Sequence, residues 1–269
     1  MPLPTCIDMN RLPAITGWHW VKEGFAIFRK QPMALSALFL SYLFMMIAIG
    51  IIPVLGQMLP LVLLPVFSLA FLRASAQVKA DERVKPALLF AAFHSPAIKR
   101  LLLLGVVQLA STILILAVSA LIDGGVFWKV ISGQTQLDAT ILSTTNMPLA
   151  LIISALLYVP ATMAFWYAAP LVAWHDMGIG KAMFFSFFAM QRQTRAFLVY
   201  SIGWAVVGVL LPTIVSLLLA LLLNSASMIV ALMMPLSLLL TVVLYCSFYI
   251  TYTDVFGTEA LTPKIDLDV

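Results

Sequence analysis

Long apolar stretches without Asp, Glu, Lys or Arg alternate along this chain with short charged segments. A helix needs roughly 20 apolar residues to cross the hydrocarbon core, and a charge inside it is costly, so the uninterrupted stretches count crossings. Gln31 to Leu72 has room for two helices, divided near Gly50 to Gly56, where Pro53 and Gly56 break the run. Leu101 to Ile122 makes one. Ala139 to Trp174 opens on the polar residues Thr140, Ser143, Thr144, Thr145 and Asn146 and leaves one span after them. Ala196 to Thr253 holds two, divided at Asn224-Ser225-Ala226-Ser227. The pattern predicts an all-α polytopic membrane bundle of six spans in a single membrane domain, 1–269. The spans fall at 33–52, 56–76, 101–122, 148–171, 197–222 and 228–252. The runs are continuous, whereas a β-barrel needs short alternating segments.

The segment 17–30 has a helical period. Trp18, Trp20, Val21, Gly24, Phe25, Ile27 and Phe28 occupy one half of the wheel, and His19, Lys22, Glu23, Arg29 and Lys30 the other. Such an interfacial helix suits the headgroup plane, with Trp18, Trp20, Phe25, Phe28, Arg29 and Lys30 as membrane-interface anchors. Pro32 ends it before the first span. The segments 84–97 and 179–193 precede the third and fifth spans in the same way and are expected as interfacial or embedded helices. Met183, Phe184, Phe185, Phe187 and Phe188 leave the latter apolar around most of its circumference.

These two segments align at a constant offset: Asp81 with Asp176, Ala87 with Ala182, Phe90 with Phe185, Phe93 with Phe188 and Arg100 with Arg195. Pro65 with Pro160 and Ala74 with Ala169 fit the same offset, and Phe25-x-x-Phe28 shares the aromatic spacing. The expected unit is an interfacial helix plus a two-span hairpin, used three times. In transport folds, binding sites lie where such repeats meet.

Composition agrees with the pattern: 63% of the 269 residues are hydrophobic and 10% charged, which excludes both a soluble domain and a disordered chain. The placement of charge says more. All 15 Lys and Arg except Lys129 fall on one side of a six-span threading. The positive-inside rule puts that side, both termini and the tail 253–269 in the cytoplasm. The net charge of +4 therefore reflects topology, and no nucleic-acid partner is expected. No cleaved leader is expected either.

Candidate chemistry is sparse. Arg73 and Asp123 are expected at helix ends, and the span centres carry no ionisable group, which argues against a proton- or sodium-coupled pump. The third span carries a polar stripe, Gln108, Ser111, Thr112 and Ser119 beside Gly105, at helical spacing. The fifth carries Ser201, Trp204, Gly208 and Pro212. Such residues serve helix packing more often than a substrate path, and Gln108 is the position most worth mutating. Pro60, Pro65, Pro160, Pro212 and Pro235 each remove a backbone donor inside a span. His175-Asp176 invites a catalytic base, but helix capping suits the pair better, and no nucleophile motif, metal-ligand spacing or phosphate loop accompanies it. Cys6 and Cys246 are expected as free thiols. No catalytic residue, metal or cofactor is expected.

The opening Gly17-Trp18-x-Trp20 and Glu23-Gly24-x-x-x-Phe28-Arg29-x-x-Pro32 resembles a family of proteobacterial six-span inner-membrane proteins along nearly the whole chain. The resemblance implies a multi-pass inner (plasma) membrane protein and supplies no catalytic residues. More distantly, the hairpin pattern is similar to the membrane domain fused to some bacterial glycerophosphodiester phosphodiesterases; their catalytic barrel has no counterpart here. The expected role is a non-enzymatic envelope or assembly factor acting through membrane lipids or other membrane proteins. The alternatives are a transporter or flippase of a neutral or lipid-like solute, and an interfacial lipid-modifying enzyme.

Overall fold

The computed structural model describes residues 11–52, 55–136, 138, 145–223 and 225–257, with the backbone alone at 55, 57 and 131. Cys6, Pro53, Thr140, Ser143, Thr144, Asn224 and the tail beyond Gly257 lie outside the described residues. Helices follow one another as α1 (Thr16–Lys30), α2 (Pro32–Gly50), α3 (Leu55–Lys79), α4 (Leu88–Ala91), α5 (Ile98–Asp123) and α6 (Val126–Ile131). Then come α7 (Met147–Trp166), α8 (Ala168–Trp174), α9 (Ile179–Arg192), α10 (Thr194–Ala205), α11 (Leu211–Leu222) and α12 (Ala226–Phe256). Among the described residues 6 helical stretches are long and apolar enough to cross a membrane: α2, α3, α5, α7 with α8, α10 with α11, and α12. The protein is an all-α polytopic bundle with the expected number of spans.

Several elements differ from the sequence pattern for identifiable reasons. The segment 84–97 contains only α4 and a 3-10 turn at Ala92–His94, because Pro86 and Pro96 bracket it. The third helix runs to Lys79, so Arg73 lies inside the helix rather than at its end. Its Nε is buried with no hydrogen-bond partner among the described residues. The fourth span breaks at Tyr167, where Ser186 of α9 enters the ladder: its Oγ donates to the Met163 carbonyl (2.7 Å) and accepts from the Tyr167 N–H (2.9 Å). The fifth span contains a π turn at Val206–Leu210, just before Pro212, which has no N–H for the Gly208 carbonyl.

Burial concentrates toward the end of the bundle that carries the charged loops. There Leu35, Leu38 and Phe39 of α2, Phe67, Leu69 and Leu72 of α3, Leu171 and Val172 of α8, and Val243, Cys246 and Ile250 of α12 form the core. The even-numbered spans meet at the centre through aromatic rings. Phe71 stacks on Tyr245 at 4.3 Å, Tyr167 on Phe248 at 5.9 Å, and Tyr252 lies 6.0 Å from Tyr167. At the far end α5 and α7 stay in close register. There the buried Asp123 accepts from the Gly125 and Phe127 N–H groups at 2.8 and 2.7 Å, and Asn146 reaches the Ile122 carbonyl.

The joints that close the even-numbered spans are alike. Asp81, Asp176 and Gly257 follow α3, α8 and α12, and all three have positive φ, at 59°, 52° and 81°. Asp81 pairs with Lys30 at 2.8 Å and Asp176 with Arg100, so two joints tie the end of one span to the start of its hairpin partner. The extra helices are placed in a related way. α4 packs on α3, α9 on α7 and α8, and α1 on α12, so each rests on the closing span of the unit before it, taken cyclically.

Candidate functional site

The polar stripe of α5 faces a half-open cavity of about 470 Å³ lined by five spans. Gln108, Ser111 and Thr112 line it from α5, Leu61, Pro65 and Ser68 from α3, and Tyr158, Thr162 and Trp166 from α7. Tyr200 of α10 and Leu244, Tyr245 and Phe248 of α12 complete the wall. The volume falls in the range of small-molecule sites, and the mixture of apolar surface with a few polar groups is the composition such sites have. Lining residues nearest the charged loops, Ala169 and Tyr200, are buried, whereas Leu61 and Tyr158 toward the far end are exposed. The cavity is thus floored by the aromatic core and opens sideways and away from the charged end.

Two local features shape this wall. Gly105 lets α3 approach closely, since a Cβ there would stand 1.9 Å from the Val62 carbonyl oxygen. The Ser186 insertion turns the chain at Tyr167, setting Trp166 against the cavity and Tyr167 into the core. Four lining hydroxyls donate to carbonyls of their own helices: Ser68 to Pro65, Ser111 to Val107, Thr112 to Gln108 and Thr162 to Tyr158, all at 2.9 to 3.0 Å. Tyr200 Oη pairs with Ser247 Oγ at 2.8 Å.

Ser119 does not join this group. It is buried elsewhere on α5, and its Oγ has no partner among the described residues. The stripe on the fifth span also divides: Ser201 and Gly208 are exposed, and Trp204 stacks on Phe25 at 6.5 Å. The lining contributions of Ser68, Tyr158, Thr162, Tyr200 and Tyr245 escape a reading of one helix at a time. They come from separate spans, and only the nearby Pro65 and Pro160 signal them.

The amphipathic α1 turns most of its apolar face toward protein. Trp20 is fully buried, its Nε1 donating to Asp254 Oδ2 at 2.7 Å and its ring 5.2 Å from Phe197. A Cβ on Gly24 would meet Ser247 Cβ at 2.6 Å, so α1 lies against α12. Ser247 is about 14 Å along the axis from the end of that helix. Among lipid tails apolar area alone does not draw helices together, so small-residue contacts and the paired indole decide the docking. Phe28 is buried as well; Trp18 and Phe25 are half-buried, and Arg29 and Lys30 are exposed. Of the anchor set, the second group is what remains for lipid.

His175 and Asp176 point to different partners. His175 Nε2 lies 3.0 Å from Tyr252 Oη, whereas Asp176 holds Arg100. Burial lowers the His175 pKa from its usual value. Cys246 is a buried thiol, and among the described residues no three His, Cys, Asp or Glu gather as metal ligands would.

No family profile and no solved structure matches the chain. It is 37% identical over 265 residues to a probable inner membrane protein of Burkholderia thailandensis, an alignment covering 96% of this chain and 98% of that one. With six membrane-capable helices and this near full-length relative, the chain belongs to that family of inner membrane proteins.

Proposed function

We infer that this is a non-enzymatic inner-membrane protein that holds a neutral, lipid-like solute in the cavity between spans two and six and moves it within or across the bilayer. The observation that carries the reading is the convergence of Gln108, Ser111 and Thr112 with uncharged residues of four other spans on one cavity within the bundle. Repeated hairpins with a cavity between them are the arrangement in which membrane transport folds place their substrates. The charge pattern supports a threading with both termini in the cytoplasm, so the cavity would open toward the outer leaflet.

The test is complementation of a deletion strain, read by lipidomics of the separated membranes. Gln108→Leu and the cavity-filling Ala161→Phe should each fail to restore the wild-type lipid profile at normal protein level. Full restoration by both would remove the cavity from the account.

An assembly role through membrane partners is the second reading. It is favoured by the outer part of the fifth span, where no residue from Gly208 to Leu222 is buried against the rest of the chain. Crosslinking from Leu217 in native membranes should capture a stoichiometric protein under this reading, and lipid alone under the first.

A further inference from the structure

We propose that the cavity selects an uncharged lipid alcohol, a molecule whose head is a hydroxyl group and whose chain leaves through the lateral opening. The proposal rests on the reading of the cavity as the binding site and adds the chemistry of its ligand. Among the described residues the lining holds no Asp, Glu, Lys, Arg or His. An anionic headgroup would find no counter-charge there, and an unpaired charge in a dry site is strongly disfavoured.

The wall offers both acceptors and donors. Ser68, Ser111, Thr112 and Thr162 have committed their protons to helix carbonyls, so toward the cavity their oxygens can only accept. Pro65 adds a further acceptor, because it offers no N–H to the carbonyl of Leu61, four residues earlier and also in the lining. These acceptors suit a ligand that brings a donor. Donors face the same space: the Gln108 amide, the Tyr245 phenol and the Trp166 Nε1–H, which is buried with no partner among the described residues. A hydroxyl group gives one proton to the acceptor wall and takes one from Gln108. An apolar chain meets Leu61, Leu64, Leu244 and Phe248.

Diacylglycerols and polyprenols share this chemistry, and binding to the purified full-length protein separates them. The probes are dioctanoylglycerol and farnesol, each against its own phosphate ester, dioctanoyl phosphatidic acid and farnesyl phosphate, with bound fractions read by native mass spectrometry. At least one alcohol should bind about tenfold or more tightly than its phosphate ester, and whichever alcohol wins identifies the source. Gln108→Leu should weaken that binding roughly five- to tenfold without lowering the apparent Tm. Ala161→Phe should abolish it.

Phosphate esters binding as tightly as the alcohols, or neither alcohol binding, would overturn the proposal. If the phosphates are preferred and Ala161→Phe still abolishes their binding, the cavity reading stands and only the ligand chemistry falls. If alcohol binding survives both substitutions undiminished, the cavity reading falls with it.

Discussion

Trp20 shows how one side chain decides where an amphipathic helix goes. Sequence periodicity puts it on the apolar face of α1 but cannot say whether that face meets lipid or protein. The answer lies 234 positions away, at the Asp254 carboxylate that accepts the indole N–H. Trp20→Phe keeps an aromatic side chain but removes this bond and part of the buried ring, so the protein should lose at least about 1–2 kcal/mol, read as a lower apparent Tm in detergent, with Asp254→Asn losing less. Ser186 makes a similar point. Ser186→Ala leaves the Met163 carbonyl and Tyr167 N–H without their bridge in a buried kink, at a cost of about 1–3 kcal/mol. A fourth span still kinked at Tyr167, with unchanged stability, would show that the hydroxyl does not hold the kink.

His175 gives the molecule a pH dependence with a definite sign. Its folded pKa is lowered by burial, so the folded protein favours the neutral ring. Below about pH 6.5 the unfolded chain binds the proton more readily, and stability falls as pH falls from there to the folded pKa. The apparent Tm should therefore drop between neutral pH and mild acid, and His175→Gln should flatten that drop. An identical slope in the variant would assign it to other groups.

At the scale of elements, the six spans were legible because charge cannot be hidden in a bilayer, and the charge-free runs measure them directly. What the sequence pattern missed are features that depend on a second element. The segment 84–97 reads as a helix by analogy with 179–193, yet Pro86 and Pro96 leave room only for α4 and a short turn. The π turn of the fifth span follows from Pro212, which is legible as a break but not as a change of helical type. The stripe on α5 was legible as a polar arc. That Gln108 to Thr112 face a cavity while Ser119 does not depends on how α3, α7 and α12 pack around it. Close approach is likewise a property of pairs. Gly24→Leu should push α1 off α12, since Ser247 already occupies the space a Cβ needs. A disulfide introduced between α1 and α12 would then fail to form, and its formation at the wild-type rate would contradict the docking.

The whole molecule is a bundle knitted at one end and parted at the other. Two ion-paired joints, Lys30 with Asp81 and Arg100 with Asp176, and the aromatic meeting of the even-numbered spans hold the charged end. Toward the far end α11 buries no residue, and the apolar residues that remain exposed there are what a lipid-facing surface requires. A cavity between knitted and parted halves can exchange a hydrophobic molecule with the bilayer without exposing it to water. The central claim is that lipid enters that space. Photo-crosslinking in native membranes with a photoactivatable, clickable lipid alcohol, followed by peptide mapping, tests it most directly. The account predicts labelled peptides containing Gln108 to Thr112, Tyr158 to Trp166 and Leu244 to Phe248, all lost in Ala161→Phe. Labels confined to outward residues such as Leu217, Leu221 and Val230, unchanged by that substitution, would contradict it.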